Sequence, residues 1–247
     1  MKKILLLLLG FALFVGACSK ECTESLGAIV QQEVEVEHFD KIIVNSGISL
    51  VIKQNENQKV IVKTGENKLD NVHVLVENGT LSIEADPLCI TSPDLDPVTV
   101  IINSPNICSI RNASEYSIVS DGVLIYPNLN LISENYNSDY LNIGNFDLEI
   151  DSEKLTVVSN NITNIKVKGH VNELKLGYFS GIGKFEGREL IAEKVSMHHR
   201  GENTLFVNPQ QELIGDIFSI GDVFSYNHPP VVSVIEHYEG ELHFVEN

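Results

Sequence analysis

The chain has 247 residues, room for one or two ordinary domains. Hydrophobic residues make up 43% and charged residues 21%, so it can bury a core and is not disordered by composition. Asp plus Glu number 34 against 17 Lys plus Arg, a net charge of −17; this counts against nucleic acid as a partner, which needs a basic face, and against docking on anionic lipid or acidic polysaccharide through bulk charge.

Lys2 and Lys3 open a basic segment, and Ile4 to Val15 is an apolar run too short to span a membrane as a stable helix. Val15-Gly16-Ala17-Cys18 follows. Small residues before a cysteine at this point resemble the lipobox of bacterial lipoproteins, in which cleavage precedes the cysteine and the thiol carries a diacylglycerol. The resemblance implies a signal peptide over 1–17, lipidation at Cys18, the membrane as partner through the lipid anchor, and a place in the bacterial cell envelope, at the outer membrane or cell surface. An ordinary signal peptide with a chance cysteine is the alternative. Cleavage removes two lysines, taking the net charge from −17 to −19. Residues 18–35 are polar without a strong period and are expected to be a tether; the folded domain is expected over 36–247.

From about Glu33 the chain alternates and is rich in Val and Ile. Lys41-Ile42-Ile43-Val44, a turn at Asn45-Ser46-Gly47, and Ile48 to Ile52 predict strand, turn, strand. Val60-Ile61-Val62 and Val72 to Val76 predict two more strands, and Asn78-Gly79 before Leu81-Ser82-Ile83 predicts a hairpin. No twelve-residue stretch carries a helical period, so helix should be nearly absent.

In the second half, turn-like residues recur at Asn161, Gly181, Gly201, Gly221 and Gly240. Four positions past each turn lie Ile165, Phe185, Leu205 and Phe244, with Ser225 alone breaking the column. A fixed period near 20 means stacked units that cannot bury their apolar face alone. Strands without helix exclude leucine-rich and ankyrin repeats, and a propeller blade needs about 40 residues. The spacing therefore predicts an all-β, right-handed parallel β-helix, single-stranded and pectin-lyase-like, with rungs of about 20 residues. A β-sandwich, which would not explain so even a spacing, is the runner-up.

The sequence also resembles the auto-transporter adhesin head GIN domain family, common in exported proteins of Bacteroidetes. The matching residues are Phe39-Asp40-Lys41-Ile42-Ile43-Val44 with Ser46-Gly47-Ile48, then Asn78-Gly79-Thr80-Leu81-Ser82-Ile83, Ser180-Gly181-Ile182-Gly183, and a degraded close around His228-Pro229-Pro230. The resemblance covers about residues 36–240. It implies a pectin-lyase-like β-helix with Gly-Ser-Gly turns, a role in cell adhesion, and no recognised catalytic set. The chain departs at Asn160-Asn161, Arg200-Gly201 and Ile220-Gly221, where Gly-Ser-Gly turns are expected.

Candidate sites are few. Glu202, Asp222 and Glu241 each follow a turn glycine and would stack at about 5 Å, a separation at which carboxylates hold a cation or ligand, or act as a retaining glycosidase pair. Solvated turns on an acidic chain are the plainer reading. Of the remaining cysteines, Cys22 falls in the tether, while Cys89 and Cys108 lie close to one repeat apart, and an oxidising compartment would permit a disulfide between them. His198 and His199 are adjacent in a strand and point to opposite faces, so they cannot grip one metal. No metal site, no cofactor and no catalytic motif is expected. The expected function is a non-catalytic exported lipoprotein acting as a cell-surface adhesion or binding module with a protein or glycan partner. A carbohydrate-active enzyme or glycan-binding protein, and an envelope scaffold, are the alternatives. Tyr116, Tyr126, Tyr136, Tyr140 and Tyr178 are the candidates for an aromatic groove that would favour glycan. The sequence leaves the oligomeric state open.

Overall fold

A computed structural model describes residues 26–86, 98–134 and 141–245. These residues form strands β1 (Ile29–Val34), β2 (Lys41–Val44), β3 (Ile48–Gln54), β4 (Lys59–Gly65), β5 (Val72–Glu77), β6 (Thr80–Ala85), β7 (Val98–Ser104), β8 (Ser109–Asn112), β9 (Ile118–Leu124) and β10 (Asn128–Ser133). Four long strands follow, β11 (Phe146–Ser159), β12 (Asn164–Tyr178), β13 (Lys184–His199) and β14 (Leu205–Ile217). Three short ones end the unit: β15 (Val223–Ser225), β16 (Val231–Glu236) and β17 (Leu242–Phe244). A single 3-10 turn at Glu66–Asn71 is the only helical element among the described residues. Strand β1 falls within the stretch expected as tether.

Backbone pairing arranges these strands in two ladders. One runs β1, β4, β7, β3, β9 into the first halves of the long strands and out through β15 and β17. The other runs β5, β6, β2, β8, β10 into their second halves and out through β16. The long strands belong to both, and their registers shift between Lys166 and Gly169 and between Glu186 and Ile191, where bulges let a strand bend round the core. The result is one sheet of 17 strands wrapped as a nearly closed, barrel-like wall around an apolar interior.

The expected right-handed parallel β-helix is therefore corrected. Strand orientation is mixed: β1–β4, β4–β7 and β5–β6 are antiparallel. The reversal at Asn78-Gly79, where both residues hold positive φ (51° and 73°), folds β5 back on β6 as the hairpin signal predicts. That hairpin breaks the repeat, so Lys41 pairs with Thr80 and Ile48 with Val98 rather than with residues about 20 away.

The period survives where it was seen. Ile165 pairs with Phe185, Phe185 with Leu205, Leu205 with Val223, and Val223 with Leu242, all in parallel. The first four are fully buried. The break at Ser225 disappears because the step from Leu205 to Val223 is two residues shorter than those before it. The turns stack as well. A side chain at Gly221 would run into the Asn203 carbonyl oxygen and His199 Nε2, and Gly181 holds a φ of 82°. Such close approach of successive turns is what places glycine there. Asn161 heads the column by turning its side chain inward, where the amide donates to Ser133 Oγ at 2.8 Å and to the Asn142 carbonyl at 2.6 Å.

A candidate binding face on the long strands

The second halves of β11 to β14 present three outward columns. Lys154, Glu173, Lys194 and Glu212 are in register, alternating in charge. Beside them run Thr156, Lys175, Ser196 and Ile214, then Val158, Gly177, His198 and Asp216. Period-two alternation puts these side chains outside and Leu155, Leu174, Val195 and Leu213 in the core. Two clefts open on this face. One, of about 300 Å³, is lined by Glu173, Lys175, Lys194, Ser196, Glu212 and Ile214. The other, of about 320 Å³, is lined by Thr156, Lys175, Gly177, Phe179, Ser196 and His198. They share Lys175 and Ser196 and so make one open groove.

A file of rings borders the groove. Phe179 and His198 have centroids 5.1 Å apart, His198 and Phe218 4.7 Å, and Phe218 and His237 4.3 Å with planes only 4° apart. Phe179 folds back over Gly177, where a Cβ would sit 2.8 Å from its ring. His237 Nε2 lies 2.7 Å from Asp216 Oδ1, which fixes that ring. Phe218 and His237 spend their faces on each other, while Phe179, 43% exposed, terminates the file. The numbers 179, 198, 218 and 237 follow the same period as the turns, so the signal for this file was in the sequence.

The expected tyrosine groove does not form among the described residues. Tyr126 and Tyr178 are core residues, Tyr116 is half-buried, and Tyr136 and Tyr140 lie outside the described residues. A second aromatic cluster, Phe206 with Phe224 on the other ladder, is covered by Arg188, whose guanidinium carbon is 4.2 Å from the Phe206 centroid. Glu186 holds both Arg188 (2.6 Å) and Lys184 (3.0 Å), so that cluster is already internally paired.

Other candidates are placed as follows. Cys18 and Cys89 lie outside the described residues, while Cys108 is a half-buried thiol beside Asp40, its pKa raised first by burial and then by that carboxylate. Glu202 and Glu241 are exposed and Asp222 is half-buried. Asp222 Oδ1 accepts the Glu241 N–H at 3.0 Å, and Oδ2 is 3.7 Å from His243 Nε2. Among the described residues no three His, Cys, Asp or Glu side chains gather as a metal site. His198 and His199 do face opposite ways. His199 is fully buried, edge-on to Tyr178 at 6.2 Å, and burial lowers its pKa to about 4. Neither of its ring nitrogens has a well-formed hydrogen bond, although backbone groups of Asn203 and Gly221 lie nearby.

The family model described as "putative auto-transporter adhesin, head GIN domain" matches residues 38–229. The chain belongs to this family. Solved structures share its fold. A putative adhesin from Bacteroides fragilis matches with a TM-score of 0.77 at 18% identity, over 88% of this chain and 97% of that one. A putative adhesin from Parabacteroides distasonis gives 0.65 at 15% identity, over 89% and 98%. A structure called a putative lipid binding protein, from the same species, gives 0.61 at 19% identity, over 89% and 98%. No match was found among curated proteins. Membership in the head GIN family makes this chain a binding or adhesion module, with a cell-surface or envelope setting and a surface partner. The matched range takes in all four long strands, and thus the whole groove.

Proposed function

We propose that this protein is a non-catalytic, lipid-anchored adhesion module of the bacterial cell surface that holds an extended glycan in the groove across β11 to β14. The observation that carries this reading is the groove itself: a channel open to solvent whose lining mixes charged, hydroxyl and apolar groups, bordered by a file of rings. Lysines and glutamates alternate along it, so it offers donors and acceptors without a net charge that would select a polyelectrolyte. Hydroxyl-rich ligands suit such a mixture, and the exposed Phe179 ring offers an apolar platform for a sugar's C–H face. The titratable groups moved furthest from their ordinary values, Tyr126 and Tyr178 upward and His199 downward, are all buried, which supports binding rather than catalysis.

The test is a glycan-array measurement on the intact chain with Phe179→Ala and Lys175→Ala beside it. Binding to neutral glycans that falls at least tenfold in both variants, with unchanged melting, is expected. Host-surface adhesion that persists unchanged in both variants would overturn the assignment of the groove.

A further inference from the structure

The outward columns on the second halves of β11 to β14 carry charge that the fold does not spend. Lys154, Glu173, Lys194 and Glu212 face one another across successive strands, and Lys175 lies two residues along β12 from Glu173. Opposite charges facing across a ladder attract, and such pairs commonly close. Among the described residues, none of these five groups has an opposite charge within 4.0 Å. The first halves of the same strands behave differently. Lys166 holds Asp147 at 3.3 Å, Lys168 holds Glu149 at 3.1 Å, and Glu186 holds Lys184 at 3.0 Å and Arg188 at 2.6 Å. Columns of both halves alternate in sign, and the one beside the groove is left open. That open column also has ends: Asn128 precedes Lys154 in the register and Val231 follows Glu212, so it spans the four long strands and no more.

The sheet sets the spacing of this column. Neighbouring strands lie about 4.8 Å apart, so the sign changes every ~4.8 Å and repeats every ~9.6 Å. An extended polypeptide advances about 3.3 Å per residue and returns its side chains to one face every ~6.6 Å, so it falls out of step within two strands. A linear chain of β-linked pyranose rings advances by close to one strand spacing per ring, and its repeat of two rings matches the repeat of the column. Successive rings joined 1,4 are turned over, which brings the C5 carboxylate of one ring and the C2 amine of the next to the same edge. Net charge narrows the class further. The chain carries −17, which as a whole repels a polyanion and draws a polycation without regard to the groove. A polymer that alternates in sign has no such bulk term and gains only where an alternating column stands unpaired.

On the reading of this groove as a glycan site, on which the inference rests, we propose that its occupant is a zwitterionic glycan: a linear polymer whose two-sugar repeat carries one carboxylate and one free amine. The carboxylates pair with Lys154 and Lys194 and the amines with Glu173 and Glu212, one ring to a strand. Lys175 stands between Thr156 and Ser196 in the next column and meets hydroxyls of the same rings. Each of these charges is exposed or half-buried, so a single contact contributes little. Four contacts in register fix which ring lies on which strand, and they exclude a polymer of one sign, which would set like charges together at every second strand.

The experiment uses the full chain and one sugar backbone in four charge states. Hyaluronan oligosaccharides long enough to cross the four strands carry the acid alone. Removing their acetyl groups adds the amine, and reducing the carboxyl groups of both gives an uncharged and an amine-only form. The form with both charges is expected to bind at least tenfold more tightly than each of the other three, and to lose that advantage at about 1 M salt, where the Debye length is about 3 Å. Lys194→Gln should weaken the two acid-bearing forms and Glu173→Gln the two amine-bearing ones, each by about threefold, the worth of one exposed ion pair. Lys166→Gln, on the other ladder and already paired with Asp147, should change none of them. Equal binding of the uncharged form, lowered by Phe179→Ala and by neither charge variant, would overturn the charge pattern and leave the glycan reading standing. An alternating Glu-Lys peptide that binds as tightly as the two-charge oligosaccharide would overturn it in favour of a protein partner. Absence of binding by all four forms would overturn it too, while the glycan array reports separately on whether the groove holds any glycan.

Discussion

His199 ties the stability of the fold to pH. Its imidazole has no exposure, and burial lowers its pKa to about 4 against about 6.5 in the unfolded chain. The unfolded state therefore binds the proton first as pH falls. Stability that is intact above about 6.5 is lost progressively below it, and the loss is complete near the folded value of about 4. The interval corresponds to about 3 kcal/mol for this one group. His199→Leu removes the titration while keeping an apolar side chain against Tyr178. Denaturant midpoints measured from pH 7 to pH 4 should fall more steeply for the parent than for the variant; parallel curves would mean that the ring reaches solvent. The adjacent His198 lies outside in the ring file between Phe179 and Phe218, since one position along a strand reverses the face.

The hairpin β5–β6 is one of the elements, with the antiparallel strands β1 and β4, that turn a repeat into a mixed sheet. Asn78 and Gly79 both sit at positive φ, which a two-residue turn of this hand requires. A Cβ at Gly79 would meet only Asp40 Oδ1 at 3.6 Å, so the position is open and the demand is conformational. Gly79→Val should cost about 1–2 kcal/mol because a β-branched residue is forced into the left-handed region. Hydrogen exchange should report the cost locally: amides of β5 and β6 should exchange faster while those of β12 and β13 keep their protection. Uniform loss of protection would show that the hairpin and the parallel strands unfold as one unit. The short strands of this half were legible in the sequence, because alternation and turn chemistry are local. Their pairing was not, because Lys41 with Thr80 or Ile48 with Val98 is settled by which partners close the core and not by neighbours along the chain.

For the whole molecule, anchoring and adhesion are separable in the proposed function. The acyl chains on Cys18 would hold the protein, contributing about 0.8 kcal/mol per buried CH₂, while the acidic surface gives it no affinity of its own for anionic lipid. Cys18→Ala is accordingly expected to move the protein from the membrane pellet to the soluble fraction after an alkaline wash, with its glycan binding intact. Retention in the pellet would place the anchor elsewhere.

Composition, the turn column and the strand alternation determined that this is an acidic all-β chain with stacked turns, and the inward positions Ile165, Phe185 and Leu205 could be named in advance. These features are legible because each depends on a repeat or on neighbouring residues: a stacked turn excludes side chains, and an inward strand position excludes polar ones. The ring file Phe179, His198, Phe218 and His237 had the same period and could have been read. The tertiary structure alone decided that the period stops at the hairpin, that Val223 rather than Ser225 continues the core column, and that Tyr126 and Tyr178 are buried while phenylalanine and histidine line the groove. Bulges at the bends change the register by one to three residues, and a shift of one residue exchanges the inside of a strand for its outside.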